Sequence, residues 1–194
     1  MLKTDRGKYA SRNPYHDCPQ SIGYNATISA PHMHAYALES LEPYLQPGMR
    51  ALDIGSGSGY LAAVMARMVG HQGKVVGIEH VQPLVDASKQ NVQQDDASLL
   101  ENGVLTLVVG DGRQGYAPMA PYDCIHVGAA YDEHPETLIQ QLKAPGRMFI
   151  PLERASGEQS IVVFDKDEQG NVTSKHLMGV MYVPLTSVQD QLGR

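Results

Sequence analysis

The chain has little cysteine, no long apolar run and no surplus of positive charge, and each lack closes off a class of protein. Only Cys18 and Cys124 occur in 194 residues. They lie far apart with no C-x-x-C pair, so a disulfide framework and a zinc knuckle are both disfavoured and a reducing compartment is the simpler setting. No stretch approaches the roughly 18 apolar residues of a membrane span, and the start MLKTDRGKYA is polar where a secretory signal is apolar. The expected location is therefore the cytoplasm. Fifteen Lys and Arg stand against 21 Asp and Glu, a formal net charge of −6. That balance offers no broad basic face to phosphate backbones or anionic lipid, so neither nucleic acid nor a membrane is an expected partner. Internal repeats and low-complexity segments are also lacking.

What is present suffices for one core: 42% of the residues are hydrophobic, and the length suits one domain better than two. From residue 50 strands and helices alternate. RALDIG is an apolar run ending at glycine, and YLAAVMARMVG has the Ala, Leu and Met content and glycine stop of a helix. KVVGIEH is β-branched, and in QPLVDASKQNVQQ the residues Leu84, Val85, Ser88 and Val92 recur at helical spacing behind Pro83. VLTLVVGD and YDCIHVGAA read as two more buried strands. PETLIQQLKAPG reads as a helix closed by Pro145 and Gly146 before a fifth strand, RMFIPL. Such alternation predicts an α/β fold with a mostly parallel, doubly wound sheet. SIVVFDKDEQGNVTSKHLMGVMYVPL has two extended runs around a polar turn, which predicts a C-terminal antiparallel hairpin at the sheet edge. The first 30 residues carry weak signals and are expected to wrap over the sheet. The resulting division is 1–48 as wrap and substrate segment, 49–152 as core, and 153–194 as hairpin and tail.

In DIGSGSG, Gly55, Gly57 and Gly59 fall where a buried strand turns into a helix, so backbone can approach a ligand closely. A glycine triplet alone is as readily a tight turn. Two acids strengthen the binding reading. Glu79 ends the second strand at about the distance that places a carboxylate on the ribose of an adenosine cofactor, and Asp111 ends the third, where adenine could lie. A nicotinamide dinucleotide is the rival, but its G-x-G-x-x-G is here G-x-G-x-G, with Tyr60 at the third glycine position. Asp53, two residues ahead of the loop, disfavours a pyrophosphate and favours a cation such as a sulfonium or ammonium.

D-x-G-x-G-x-G followed by an acid resembles the S-adenosylmethionine site of Rossmann-like class I methyltransferases. More narrowly, ATISAPHMHA, LDIGSGSGY, VVGDGR, APYDCIHVGAA and MGVMYVPLT are similar, in this order across nearly the whole chain, to the protein-L-isoaspartate (D-aspartate) O-methyltransferase family. The resemblance implies methylation of the free carboxylate of isoaspartyl and D-aspartyl residues in damaged proteins and peptides, with S-adenosyl-L-methionine as donor and S-adenosyl-L-homocysteine as product. It also implies that Ala26, Thr27, Ile28 and Ser29 lie between cofactor and substrate, Ser29 in the catalytic role, and that His34, Ser58, Glu79, His80, Asp111, Gly112, Thr186 and Gln191 contact the cofactor. Family members usually carry a further segment ahead of TDRGKYA. Its absence is expected to expose apolar area or loosen the substrate side, so a truncated, inactive cofactor-binding relative is the alternative. A nicotinamide oxidoreductase is the more remote one.

Plainer readings compete at single residues. Ser29 alone would be a loop or cap hydroxyl. His32 and His34 form an H-x-H pair without an obvious third ligand, so no metal is expected. His126 reads as a hydrogen-bonded core residue, Asp95 and Asp96 as a solvated face, and the methionines as core filler. A monomer is the default expectation, since no long exposed apolar helix is evident.

Overall fold

The computed structural model describes residues 1–132 and 134–193. A hairpin of β1 (Gln20–Gly23) and β2 (Ala26–Ile28) leads into α1 (Pro31–Leu41). The units β3 (Arg50–Ile54), α2 (Tyr60–Val69), β4 (Lys74–Glu79) and α3 (Gln82–Asp96) follow, then a short α4 (Ser98–Glu101) and β5 (Leu105–Val109). The chain continues through β6 (Tyr122–Val127), α5 (Glu136–Gln141), β7 (Leu142–Glu153), β8 (Gln159–Lys166), β9 (Val172–Val180) and α6 (Val188–Leu192).

Seven strands form one sheet in the order β5-β4-β3-β6-β7-β8-β9. Every pair from β5 to β7 is parallel, and β7-β8 and β8-β9 are antiparallel. The fold is the α/β arrangement that the alternation predicts, with the hairpin at the edge. From β3 the chain steps outward through β4 and β5, then returns to start the other half beside β3 with β6. Strand order therefore reverses between β3 and β6, and the crevice at their carboxyl ends is where such sheets bind ligands.

Two apolar clusters cover the two faces. Leu41, Leu45, Met65, Val69 and Phe149 belong to one, and Leu52, Ile54, Ile125, Leu138 and Met148 to the other. In α3 the buried residues are Leu84, Val85, Ser88 and Val92, as their spacing predicts. Helix α1 has the same logic, with His34, Ala37, Leu38 and Leu41 buried behind Pro31 in the first turn.

Two expectations are corrected. Helix α5 stops at Gln141 rather than running to Pro145, and β7 begins at Leu142. Leu142 already pairs with Tyr122, and the register slips before Cys124 pairs with Arg147, so Pro145 sits in an irregularity of the strand where its missing N–H is tolerated. Gln141 marks the boundary with its side chain, which accepts from Tyr116 N (2.8 Å) and donates to Gln114 O (2.8 Å).

Asp95 is not part of a solvated face. Its side chain is 4% exposed and accepts from Arg67 Nη2 (2.7 Å) and Tyr9 Oη (2.9 Å), with Lys8 Nζ at 3.4 Å. These contacts fasten the N-terminal segment to α2 and α3. Burial pushes the Asp95 carboxyl up, but the hydrogen bonds from Arg67 and Tyr9 outweigh it and hold the group below its ordinary value. A depressed carboxylate stabilises the fold above its unfolded value and loses that contribution as pH falls through the folded one. Asp95→Asn is expected to cost about 2–3 kcal/mol at neutral pH, read from urea midpoints, with the gap from the native chain closing below about pH 4. A gap unchanged down to pH 3 would mean that the charge contributes nothing.

Candidate active site

Strand β3 delivers Asp53 to the crevice and hands over to the glycine loop. Gly55, Gly57 and Gly59 have φ of +72°, +49° and +83°, which explains glycine at every second position: side chains rarely adopt that backbone. Gly55 N (2.9 Å) and Ser56 N (3.1 Å) both donate to Ile78 O, tying the loop to β4. A Cβ on Gly59 would lie 3.1 Å from Ser88 Cβ, so this glycine also lets α3 approach.

A cleft runs along the carboxyl ends of the strands in two lobes that share Thr27, Gly55, Gly57 and Gly128. The outer lobe is lined by Ala26, Glu79, His80 and Gly112, and is walled by Val183–Thr186 and Gln191. The inner lobe is lined by Ile28, Ser29, His34, Asp53, Ser58, Tyr60 and His126. Residues expected together from five separate stretches of sequence thus converge. Two do not face the cleft: Gly59 packs toward Ser88, and the Asp111 carboxylate is gripped by Arg113 Nε (2.9 Å) and Nη2 (2.7 Å), leaving its neighbour Gly112 as the lining residue. His32 and His34 are not brought together at one site either, because His32 turns outward to Asp17 at 2.8 Å while His34 is buried.

Glu79 is 7% exposed and its carboxylate accepts from His80 N (2.8 Å), Val81 N (3.1 Å) and Gly57 N (3.3 Å), bonds that fix it between the glycine loop and the start of α3. His80 Nε2 meets Gln191 Oε1 at 2.7 Å, Gln191 Nε2 donates to Tyr24 O (2.8 Å), and Asn25 Nδ2 donates to Gln191 O (2.8 Å). One glutamine therefore joins the β1–β2 turn, the end of β4 and the C-terminal helix across the outer lobe.

In the inner lobe Asp53 and His126 are register partners of β3 and β6. His126 Nδ1 lies 2.8 Å from Asp53 Oδ1, and the imidazole stacks on Phe149. Asp53 Oδ2 is buried with no hydrogen-bond partner among the described residues. An orphaned carboxylate oxygen in a cleft suits a cationic group and repels a phosphate. The Ser29 carbonyl accepts from Arg6 Nη2 (2.7 Å), and the Tyr182 phenol lies near enough to the Ser29 hydroxyl to be influenced by it. Burial raises the Tyr182 pKa, with the Ser29 hydroxyl acting the other way, so the phenol stays protonated at neutral pH.

His126 is the hydrogen-bonded, buried residue its sequence position suggests, but its place in the cleft, like the roles of Arg6 and Tyr182, is not evident from the sequence. The hint for His126 is its position at the carboxyl end of a buried strand. Arg6 and Tyr182 have none, because each reaches Ser29 only through tertiary folding. Gly59→Ala is expected to destabilise the chain by about 1–2 kcal/mol from its left-handed backbone alone, with the Ser88 contact adding to that. Denaturant titration reads it, and a native midpoint would mean that the loop is free to relax.

The protein-L-isoaspartate(D-aspartate) O-methyltransferase family matches residues 1–190. The chain is 51% identical over 194 residues to the protein-L-isoaspartate O-methyltransferase of Caenorhabditis elegans, covering 100% of this chain and 86% of that one. It is 52% identical over 195 residues to protein-L-isoaspartate O-methyltransferase 1 of Arabidopsis thaliana, covering 99% and 84%. The crystal structure of a Plasmodium falciparum protein of this kind, in complex with S-adenosyl-L-homocysteine, superposes with a TM-score of 0.90 at 36% identity, covering 96% of this chain and 88% of that one. With the fold, the loop and the cleft in agreement, the chain belongs to the protein-L-isoaspartate (D-aspartate) O-methyltransferase family.

Proposed function

We propose that the chain transfers a methyl group from S-adenosyl-L-methionine to the free carboxylate of L-isoaspartyl and D-aspartyl residues in damaged proteins and peptides. The observation that carries this reading is the unpartnered Asp53 oxygen, buried in the same lobe as Ser29 at the point where strand order reverses. The donor fits the residues present: Asp53 favours its cationic amino-acid half, the glycine loop admits it closely, and Glu79 offers a carboxylate to its ribose. In this assignment His34 and Ser58 serve the amino-acid half, while His80, Gly112, Thr186 and Gln191 surround the adenosine half. Ala26, Thr27 and Ile28 form the wall between donor and substrate.

Bound there, the donor supplies an electrophilic methyl group on a sulfonium. The protein has little acid–base work to do, because an α-carboxylate has a pKa of about 3.5 and is already an anion at neutral pH. Its task is placement. Holding nucleophile and methyl in a near-attack arrangement can contribute about 7–11 kcal/mol to the lowering of the barrier. The Ser29 backbone is held by Arg6 at its carbonyl, which suits a residue whose hydroxyl orients the substrate carboxylate by hydrogen bonding. A nucleophilic serine needs a base at its hydroxyl, and the group there is a protonated phenol. The two reacting charges cancel during transfer, so exclusion of water from the narrow inner lobe favours the reaction.

The deciding assay offers labelled S-adenosyl-L-methionine to two peptides that differ only in L-isoaspartate or L-aspartate at one position. Base-labile label on the first alone is the expected result. Label on neither, with S-adenosyl-L-homocysteine still bound in a calorimeter, would instead indicate an inert binding relative. Ser29→Ala is expected to lower kcat about 10–1000-fold, in the range for loss of an orienting donor, with affinity for S-adenosyl-L-homocysteine within about threefold of native. Asp53→Asn keeps an acceptor for His126 but removes the charge, and is expected to weaken donor binding about 10–100-fold by calorimetry. Unchanged affinity would remove the electrostatic argument.

A further inference from the structure

Arg6 is a buried cation with no ion-pair partner among the described residues. It is 5% exposed, and its contacts among the described residues are Ser29 O (2.7 Å from Nη2), His34 Nδ1 (3.2 Å from Nη1) and the face of Tyr60 (5.3 Å from the guanidinium carbon). Asp17, whose charge it feels, is engaged by His32. Burying an unpaired guanidinium is costly, and Nε has no hydrogen-bond partner among the described residues. An interior built for stability alone would place a neutral side chain here.

A guanidinium is donor-only and keeps its proton at any physiological pH. Across the 3.2 Å contact Nη1 must donate, so Nδ1 of His34 must be the bare nitrogen. A proton on Nδ1 would set two donors against each other, and an imidazolium would set two cations against each other. The hydrogen of His34 therefore sits on Nε2, the nitrogen that Arg6 leaves to the cleft this ring lines.

We infer that Arg6 is a positioning residue for methyl transfer: one planar fork fixes His34 as the neutral Nε2–H tautomer and holds the Ser29 backbone, presenting an N–H donor to the lobe that Ser29 also lines. The inference rests on the methyl-transfer reading of the cleft. A neutral donor serves a site that must accept both a cationic sulfonium and an anionic carboxylate, since an imidazolium would repel the first and a bare Nε2 the second. The groups facing His34 are Arg6 from the N-terminal turn, Tyr60 from α2, with ring centroids 5.2 Å apart, and His126 across the lobe. The nearby Asp53 is committed to His126 on one oxygen. Burial first, then the charges of His126 and Arg6, push His34 well below its ordinary pKa, in accord with a ring held neutral.

The test is a long-range ¹H–¹⁵N spectrum of imidazole-labelled protein without cofactor, with the His34 signals assigned by their loss in His34→Gln. The expected native result is the Nε2–H pattern held from about pH 5.5 to 8. In Arg6→Met, His34 is expected to populate the Nδ1–H form or to titrate within that range. The kcat should fall about tenfold or more, and the pH–rate profile should gain an inflection near the ordinary histidine value of about 6.5. Arg6→Met that loses rate while His34 keeps its tautomer and a flat profile overturns the inference, leaving Arg6 a packing residue. Should that variant not fold, the native spectrum still decides, since Nδ1–H or an imidazolium there is equally fatal. Native enzyme that fails to methylate an isoaspartyl peptide overturns the functional reading, whereas native enzyme that succeeds with His34 protonated on Nδ1 overturns this inference alone.

Discussion

The pairing of Asp53 with His126 in the middle of the sheet is the constraint around which the site is arranged. A carboxylate 1% exposed between apolar strands is unstable unless something answers its charge. The parallel register of β3 and β6 places one imidazole nitrogen 2.8 Å from one oxygen. The second oxygen is left without a partner among the described residues, on a residue that lines the crevice at the reversal of strand order. One side chain thus both pairs the two strands and leaves an unsatisfied acceptor at the site.

The opposite wall comes from outside the sheet. Residues 1–30 contribute Arg6, Thr27, Ser29 and the turn at Tyr24 and Asn25, and they are held in place by contacts remote from the cleft: Tyr9 on Asp95 and Tyr60, Lys8 and Thr4 on the partners of α2 and α3. The segment that carries Arg6, and through it the Ser29 carbonyl, is fastened by the Lys8–Asp95–Arg67 network to α2 and α3. The site is accordingly a junction between a rigid parallel core and a separately anchored strap, which is why its two lobes differ in character. The inner lobe is walled mainly by the glycine loop and strand ends of the core, the outer one by turns and the chain terminus.

The parallel half of the fold is legible in the sequence because each strand is a local run of β-branched residues closed by glycine, and the C-terminal hairpin because Asp167 caps its own turn, accepting from Gln169 N and Asn171 N. Helix α1 is not read from the sequence, although its buried residues 34, 37, 38 and 41 fall at helical spacing. Misreadings arise where tertiary partners override local pattern. The α5–β7 boundary moves because Leu142 finds Tyr122, and Asp95 is drawn inward by a tyrosine 86 residues away. Within the site, the glycines and acids at strand ends declare themselves by type and spacing, whereas Arg6, Tyr182 and the tautomer of His34 emerge only from contacts that no window of sequence contains.

The clasp made by Gln191 has a consequence in time. All the parallel pairs of the sheet are complete once β7 has formed, at residue 153, yet the outer lobe lacks its wall until residues 183–186 and 191 are in place. A chain emerging from the ribosome can settle its core well before it can close the outer lobe. Residues 183–191 therefore separate a folded core from a finished cleft.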